Sequence, residues 1–162
     1  MRIVEKISRG LSVFFLWSAG AFMVAMILLT CANIVSRLVW VPIKGTFELM
    51  GFFGAVATAF ALAYTQMKKA HIAVDILVNR FPSRIRTLLS GINYFVCSLF
   101  FGIAGWQIAR WAGTIRETGE VTETLRIVYY PFTYGVALGC ILIALVLFVD
   151  FLNLFSAKNG AS

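Results

Sequence analysis

Four long stretches of apolar residues dominate the pattern along this chain. They run over residues 11–32, 45–66, 87–109 and 130–149 and cover more than half of the sequence. Three of them contain no charged residue, and the second contains only Glu48. A helix needs about 20 apolar residues to cross hydrocarbon with its backbone groups paired, so each stretch predicts a transmembrane helix. The expected fold is an all-α membrane protein with four spans.

The connecting pieces are too short to hold a second core, so we expect one membrane domain over residues 11–153. Residues 1–10 and 154–162 are then short cytoplasmic tails. The basic start resembles a signal peptide, but the first apolar run is longer than the usual ~7–15 residues. No polar cleavage region follows it either. We therefore expect the first stretch to remain as a span.

Composition agrees with a membrane protein and argues against a soluble enzyme. Of the 162 residues, 60% are hydrophobic and only 13% are charged, whereas a soluble domain has about 25% charged residues. The three cysteines lie in the spans at no metal-like spacing. The sequence has no Ser/His/Asp set, no nucleotide-binding glycine loop and no Cys/His cluster. It therefore offers no catalytic constellation, no metal site and no cofactor site.

The distribution of basic residues predicts the orientation. Nine of the 14 Lys and Arg residues lie in the two tails and in the connection after the second span, and five lie in the other two connections. Since the more basic side stays in the cytoplasm, both termini should be inside. The net charge of +7 then reflects topology and contact with anionic lipid. Nucleic-acid binding is a poor interpretation, because the bases are divided between two faces.

Small residues recur at four-residue spacing in the second and fourth spans and so share one helix face. They are Gly51, Ala55, Ala59 and Ala63 in the second span, with Gly135 and Gly139 in the fourth. Such faces let helices approach closely in lipid. The sequence leaves open whether they pack within this chain or against another membrane subunit.

Glu48 is the one acid inside a span, and it lies close to the outer end. Arg37 ends the first span on the same side, so we expect an interfacial Arg37–Glu48 ion pair that ties the first hairpin together. The alternative is a role for Glu48 in proton or cation coupling.

Two connections carry further candidates. The inner connection mixes apolar and basic residues and predicts a short interfacial helix, on which His71 and Asp75 would be neighbours. The third helix should continue past Arg110, either protruding outward or bending along the outer surface, because the apolar stripe persists to Ile115. Beyond it, Glu120 and Glu123 could offer acceptors to an extracytoplasmic partner, although a solvated loop fits them equally well.

An ordered set of short motifs resembles a known family. The set begins with Asn33-x3-Arg37 and Glu48-Leu49, and continues with Ala63, His71-Ile72-Ala73-Val74-Asp75, Asn79-Arg80-Phe81-Pro82 and Thr124-Leu125-Arg126-Ile127. Together they resemble the small membrane subunit of TRAP transporters, the DctQ-like family. The sequence departs from the family pattern at Val128, where proline is frequent, and at Ala73, where a basic or polar residue is frequent.

The resemblance implies a non-catalytic subunit of a tripartite secondary transporter. Such subunits pair with a large multi-spanning permease that takes up organic acids with sodium, and they brace its static scaffold. A separate extracytoplasmic protein binds the substrate and delivers it. The residues agree in one respect, since the chain has too few intramembrane polar groups to build an anion site.

Two other functions start from the same four spans. An autonomous small exporter would use a membrane glutamate, but Glu48 lies too near the outer end for that role. A haem-bearing electron-transfer subunit would need two histidine ligands, and His71 is the only histidine in the chain.

Overall fold

The structure is a computed structural model that describes residues 2–67 and 83–159. It contains four helices: α1 (Arg2–Val39), α2 (Thr46–Met67), α3 (Ser83–Thr118) and α4 (Tyr130–Asn159). All four are long and apolar enough to cross a membrane, which confirms the predicted all-α membrane fold. Among the described residues the only β-type pairing is an isolated antiparallel bridge between Val121 and Val128.

The helices are longer than the predicted spans. Residues before Leu11 and after Val149 continue α1 and α4 as helix, because no proline interrupts them and their basic and apolar residues are good helix formers. Helix α3 continues to Thr118, which confirms the predicted extension past Arg110. The predicted interfacial helix, with His71 and Asp75, lies outside the described residues.

Local signals set the helix ends. Helix α2 follows Gly45, whose φ is +76°, and the Thr46 hydroxyl donates to the Ile43 carbonyl at 2.8 Å. Helix α3 ends at Gly119 with φ +66°, the left-handed residue that commonly closes a helix. Pro131 lies in the first turn of α4, where its missing N–H has no intrahelical partner to lose.

The four helices form an open row instead of a closed ring. Helix α2 packs against both α1 and α4, and α4 packs against both α2 and α3. Helix α1 reaches α4 only slightly, and within the described residues α3 packs extensively against α4 alone. The two end helices of the row therefore carry broad exposed apolar faces, including Trp17, Ile27, Leu28 and Val35 on α1 and Leu88, Leu99, Phe100 and Ile103 on α3.

The core lies along the two middle helices. One buried cluster joins α1 and α2 and consists of Ala19, Val56, Ala57 and Phe60. The other lies on α4 and consists of Leu142, Ile143, Val146 and Leu147, covered by residues of α1, α2 and α3. Helix α4 thus connects α3 to the rest of the molecule.

The two ends of the row differ in their polar contacts. Residues 40–45 and 119–129 meet at one end, which we call the clasp end, because Glu48 contacts Thr124 there. At the opposite end the buried Gln66 donates from Nε2 to Asp150 Oδ2 at 3.4 Å. The first and third connections share one end, as a chain that crosses the membrane four times requires.

Candidate functional site

The clasp end is held together by the carboxylate of Glu48. Its Oε1 accepts a hydrogen bond from the backbone N–H of Thr124 at 2.8 Å, and its Oε2 accepts one from that of Leu125 at 3.2 Å. The side chains of Thr122 and Thr124 also hydrogen-bond to this carboxylate. Hydrogen bonds to an ionised acceptor are stronger than neutral ones, so one side chain of α2 fixes a loop 76 residues away.

The loop is folded to present these N–H groups together. Its backbone closes on itself, with Thr122 N donating to Ile127 O at 3.0 Å and Arg126 N donating to Thr122 O at 3.1 Å. Arg126 adopts a left-handed φ of +52°, a conformation that non-glycine residues rarely adopt. The hydrogen bonds within the turn use the backbone groups of Thr122, Arg126 and Ile127. The neighbouring N–H groups of Thr124 and Leu125 remain to bind Glu48.

A packing contact reinforces the clasp beside the hydrogen bonds. The side chain of Leu125 lies directly over Gly45, so closely that a methyl group on Gly45 would overlap it. Gly45 also has a positive φ, which glycine adopts without strain. The backbone at Gly45 and the side chain of Leu125 therefore fit only because residue 45 has no Cβ.

Tyr129 links the loop to the membrane helices. Its ring stacks on Phe52 with centroids 5.5 Å apart, and its hydroxyl hydrogen-bonds to Glu120. Burial, together with the negative charge of Glu120, raises the pKa of the Tyr129 hydroxyl above its ordinary value. The phenol therefore stays protonated and continues to donate throughout the physiological pH range.

Glu48 has a different partner from the one expected. Its oxygens are occupied by loop amides, and the described residues show no contact between Arg37 and Glu48. The side chain of Arg37 is exposed. The reason is geometric, since the folded loop brings two unpaired N–H groups within hydrogen-bonding distance of the carboxylate.

The small-residue candidates fall into two groups. A methyl group on Gly139 would lie 2.7 Å from Ala59 Cβ, and one on Gly135 would lie 3.3 Å from Val56, so these residues serve the α2–α4 crossing inside the chain. Gly51 and Ala55 are exposed, and no side chain lies within 4 Å of the position of a Cβ at Gly51. The side chain of Ala63 lies outside the described part of the structure.

The two acidic loop candidates also have different surroundings. Glu120 is exposed and contacts Tyr129, whereas Glu123 is exposed beside Thr124 in the turn that Glu48 binds. The clasp therefore determines where Glu123 is presented.

Sequence reasoning identified Glu48 but missed Gly45, Thr124 and Leu125 as its surroundings. Glu48-Leu49 and Thr124-Leu125-Arg126-Ile127 both belong to the motif set that carries the family resemblance, which was the available signal. A set of motifs, however, gives their order and not their contacts.

Among the residues that the structure describes, there is no group of three His, Cys, Asp or Glu side chains that could hold a metal ion. The buried polar side chains among them are Thr46, Gln66 and Thr122, which lie near the helix ends or in the loop. The four long apolar helices define a multi-pass membrane protein.

The family follows from comparison with known proteins. Residues 26–157 match the model of the family described as the DctQ component of tripartite ATP-independent periplasmic transporters. No curated protein and no solved structure matches the chain. Since the matched segment covers most of the sequence and includes part or all of each of the four helices, the chain belongs to the DctQ family, the small component of TRAP transporters. This is a family of transporter subunits and not of enzymes.

Proposed function

We propose that this chain braces the scaffold of a large permease subunit in a bacterial inner membrane, with both termini in the cytoplasm. The permease would take up organic acids together with sodium, supplied by an extracytoplasmic substrate-binding protein. The observation that carries the proposal is the open row of helices, which leaves broad apolar faces on α1 and α3. A chain that worked alone would have reason to close its bundle around a polar pathway.

The sparse polar content of the spans supports the same role. Transporter sites near the bilayer midplane use broken helices and convergent polar groups. The described helices run without such breaks, and their buried polar side chains lie at the ends. The permease is therefore the subunit that we expect to hold substrate and ion.

Reconstitution of uptake tests the proposal. Liposomes containing this chain alone should show no sodium-driven uptake, whereas chain, permease and binding protein together should transport an organic acid. Uptake by the purified chain alone would contradict the bracing role and would favour an autonomous transporter.

The clasp suggests where the binding protein docks. With the clasp end outside, Glu120 and Glu123 project from a loop of fixed shape, and we expect them to contact basic groups of the binding protein. Replacing both by Gln should weaken uptake while the membrane subunits still co-purify. Tyr129→Phe is the matched control, because it removes the internal contact of Glu120 and keeps both charges.

A further inference from the structure

The connection between α1 and α2 presents an unusually apolar surface at the clasp end. Trp40 is 85% exposed and Phe47 is 84% exposed. The residues between and before them continue the patch, namely Leu38, Val39, Val41, Pro42 and Ile43, all of them exposed. Apolar surface in water costs about 25 cal/mol per Å², and a contiguous patch of this kind marks a surface that another phase or molecule covers.

Several backbone groups of this connection are hydrogen-bonded within the chain. The side chain of Asn33 accepts a hydrogen bond from Ile43 N at 2.9 Å, and the hydroxyl of Ser36 donates to Val41 O at 2.6 Å. Unpaired backbone groups are costly away from water. Two side chains of α1 thus satisfy backbone groups of a segment that is not helical.

Further bonds extend this pairing to both ends of the connection. Trp40 N donates to Ser36 O at 2.8 Å, and the Thr46 hydroxyl donates to Ile43 O at 2.8 Å. Pro42 has no N–H to satisfy. These bonds lower the cost of placing the connection in the interfacial layer.

Positive charge flanks the apolar patch on both sides. Arg37 precedes it and Lys44 follows it, and both are exposed. The nearest acid along the chain, Glu48, has its oxygens engaged by the loop amides. Tryptophan together with Lys and Arg at the end of apolar spans is the pattern of the membrane interface, where the bases meet lipid phosphates.

We infer that residues 38–43 and Phe47 form a lipid anchor that inserts into the interfacial layer of the leaflet at the clasp end. Arg37 and Lys44 bind the phosphates of anionic lipids beside it. Lipid fits better than a protein surface, because headgroups supply anions beside both of the flanking bases. The inference stands apart from the proposed bracing role and holds for either orientation of the chain.

Fluorescence of Trp40 tests the anchor in the full chain. Replacing Trp17, Trp106 and Trp111 by Phe leaves Trp40 as the only tryptophan. In bilayers containing lipid brominated close to the headgroup, its emission should be strongly quenched, whereas aqueous iodide should have little effect. Quenching by iodide without quenching by brominated lipid would overturn the inference.

A second reporter protects the test against a variant that fails to fold. Phe47→Trp in a chain without other tryptophans should give the same quenching pattern. The same quenching by brominated lipid should then be measured in the complex with the permease. The emission spectrum of a complex that contains a tryptophan-free chain is subtracted, so that the remaining emission comes from the reporter tryptophan alone. Loss of lipid quenching in the complex would mean that the permease covers the patch, and the anchor would be refuted.

Lipid charge tests the two bases. Trp40 should be quenched more effectively by brominated phosphatidylglycerol than by brominated phosphatidylcholine. Arg37→Gln with Lys44→Gln should abolish most of this preference, because the two bases supply the attraction to anionic headgroups. Arg116→Gln, at an exposed base on α3, should leave it unchanged. Equal quenching by the two lipids in the unmodified chain would contradict the role of the bases.

Discussion

Single residues decide how the two connections at the clasp end meet. Glu48 binds two backbone N–H groups with one carboxylate, and Gly45 leaves the space that Leu125 fills. Glu48 also lies in the first turn of α2, where negative charge interacts favourably with the helix dipole. One acid near a span end therefore needs no transport role to explain its presence.

Glu48→Ala should release the loop without unfolding the helices. The amides of Thr124 and Leu125 lose their acceptor, so their hydrogen exchange should become much faster, whereas amides in the middle of α4 should keep their protection. Glu48→Gln should have a smaller effect, because its one carbonyl oxygen can still accept. Glu123→Gln is the matched control at an exposed acid in the same loop, and unchanged exchange in Glu48→Ala would contradict the clasp.

Gly45→Ala should destabilise the protein by about 2 kcal/mol, because it combines a positive φ with steric overlap. Gly119→Ala also has a positive φ but meets nothing within 4 Å, so it measures the backbone strain alone. Thermal unfolding in detergent would measure the destabilisation caused by each of the two substitutions. Adding Leu125→Ala to Gly45→Ala should recover part of the loss, and a double variant that recovers nothing would show that the overlap is unimportant.

The raised pKa of Tyr129 predicts a loss of stability at alkaline pH. A folded-state pKa above the unfolded value of about 10 stabilises the fold at all lower pH values, and this contribution disappears as pH rises through the folded pKa. The unfolding temperature should therefore fall more steeply between pH 8 and pH 11 in the unmodified chain than in Tyr129→Phe. Identical pH profiles of the two chains would show that ionisation of the Tyr129 hydroxyl is not coupled to unfolding.

At the scale of elements, the helix crossings depend on small residues at particular depths. Gly139 lies against Ala59 so closely that no side chain fits between α2 and α4. Because packing, and not hydrophobicity, drives helix association in lipid, this close approach is a main source of cohesion between the two middle helices.

Gly139→Ala should weaken the α2–α4 crossing. Its methyl group would lie 2.8 Å from backbone atoms of Ala59, which cannot move aside as a flexible side chain would, so we expect a loss of roughly 1–3 kcal/mol. Gly20→Ala on α1 adds the same methyl group where nothing lies within 4 Å and should be neutral or slightly stabilising. Comparable stability of the two variants in detergent would argue against the tight crossing.

At the scale of the whole molecule, the open row predicts a partner. Helix α3 is attached through α4, and the exposed face of α2 carries the small residues Gly51 and Ala55, which internal packing leaves unused. We propose that a helix of the permease packs there, because small residues allow close approach.

Gly51→Leu and Ala55→Leu should each reduce co-purification with the permease while leaving the isolated chain equally stable. The added side chain obstructs a close helix approach but meets no residue of this chain at Gly51. Gly10→Leu provides an equal increase in size at an exposed position before the predicted first span, where nothing lies within 4 Å, and should assemble normally. Full assembly of both α2 variants would assign the permease contact to a different face.

The sequence alone determined the four membrane-spanning helices and the membrane environment, because both follow from apolar runs long enough to span hydrocarbon. It also marked Glu48 and the Thr124-Leu125 motif, and its motif order indicated the family. Only the tertiary structure decided that these two motifs meet, that Arg37 is not the partner of Glu48 and that Gly139 serves the interior while Gly51 does not. The physical reason is that hydrophobicity acts locally along the chain, whereas hydrogen bonds and close packing depend on which distant segments the fold brings together.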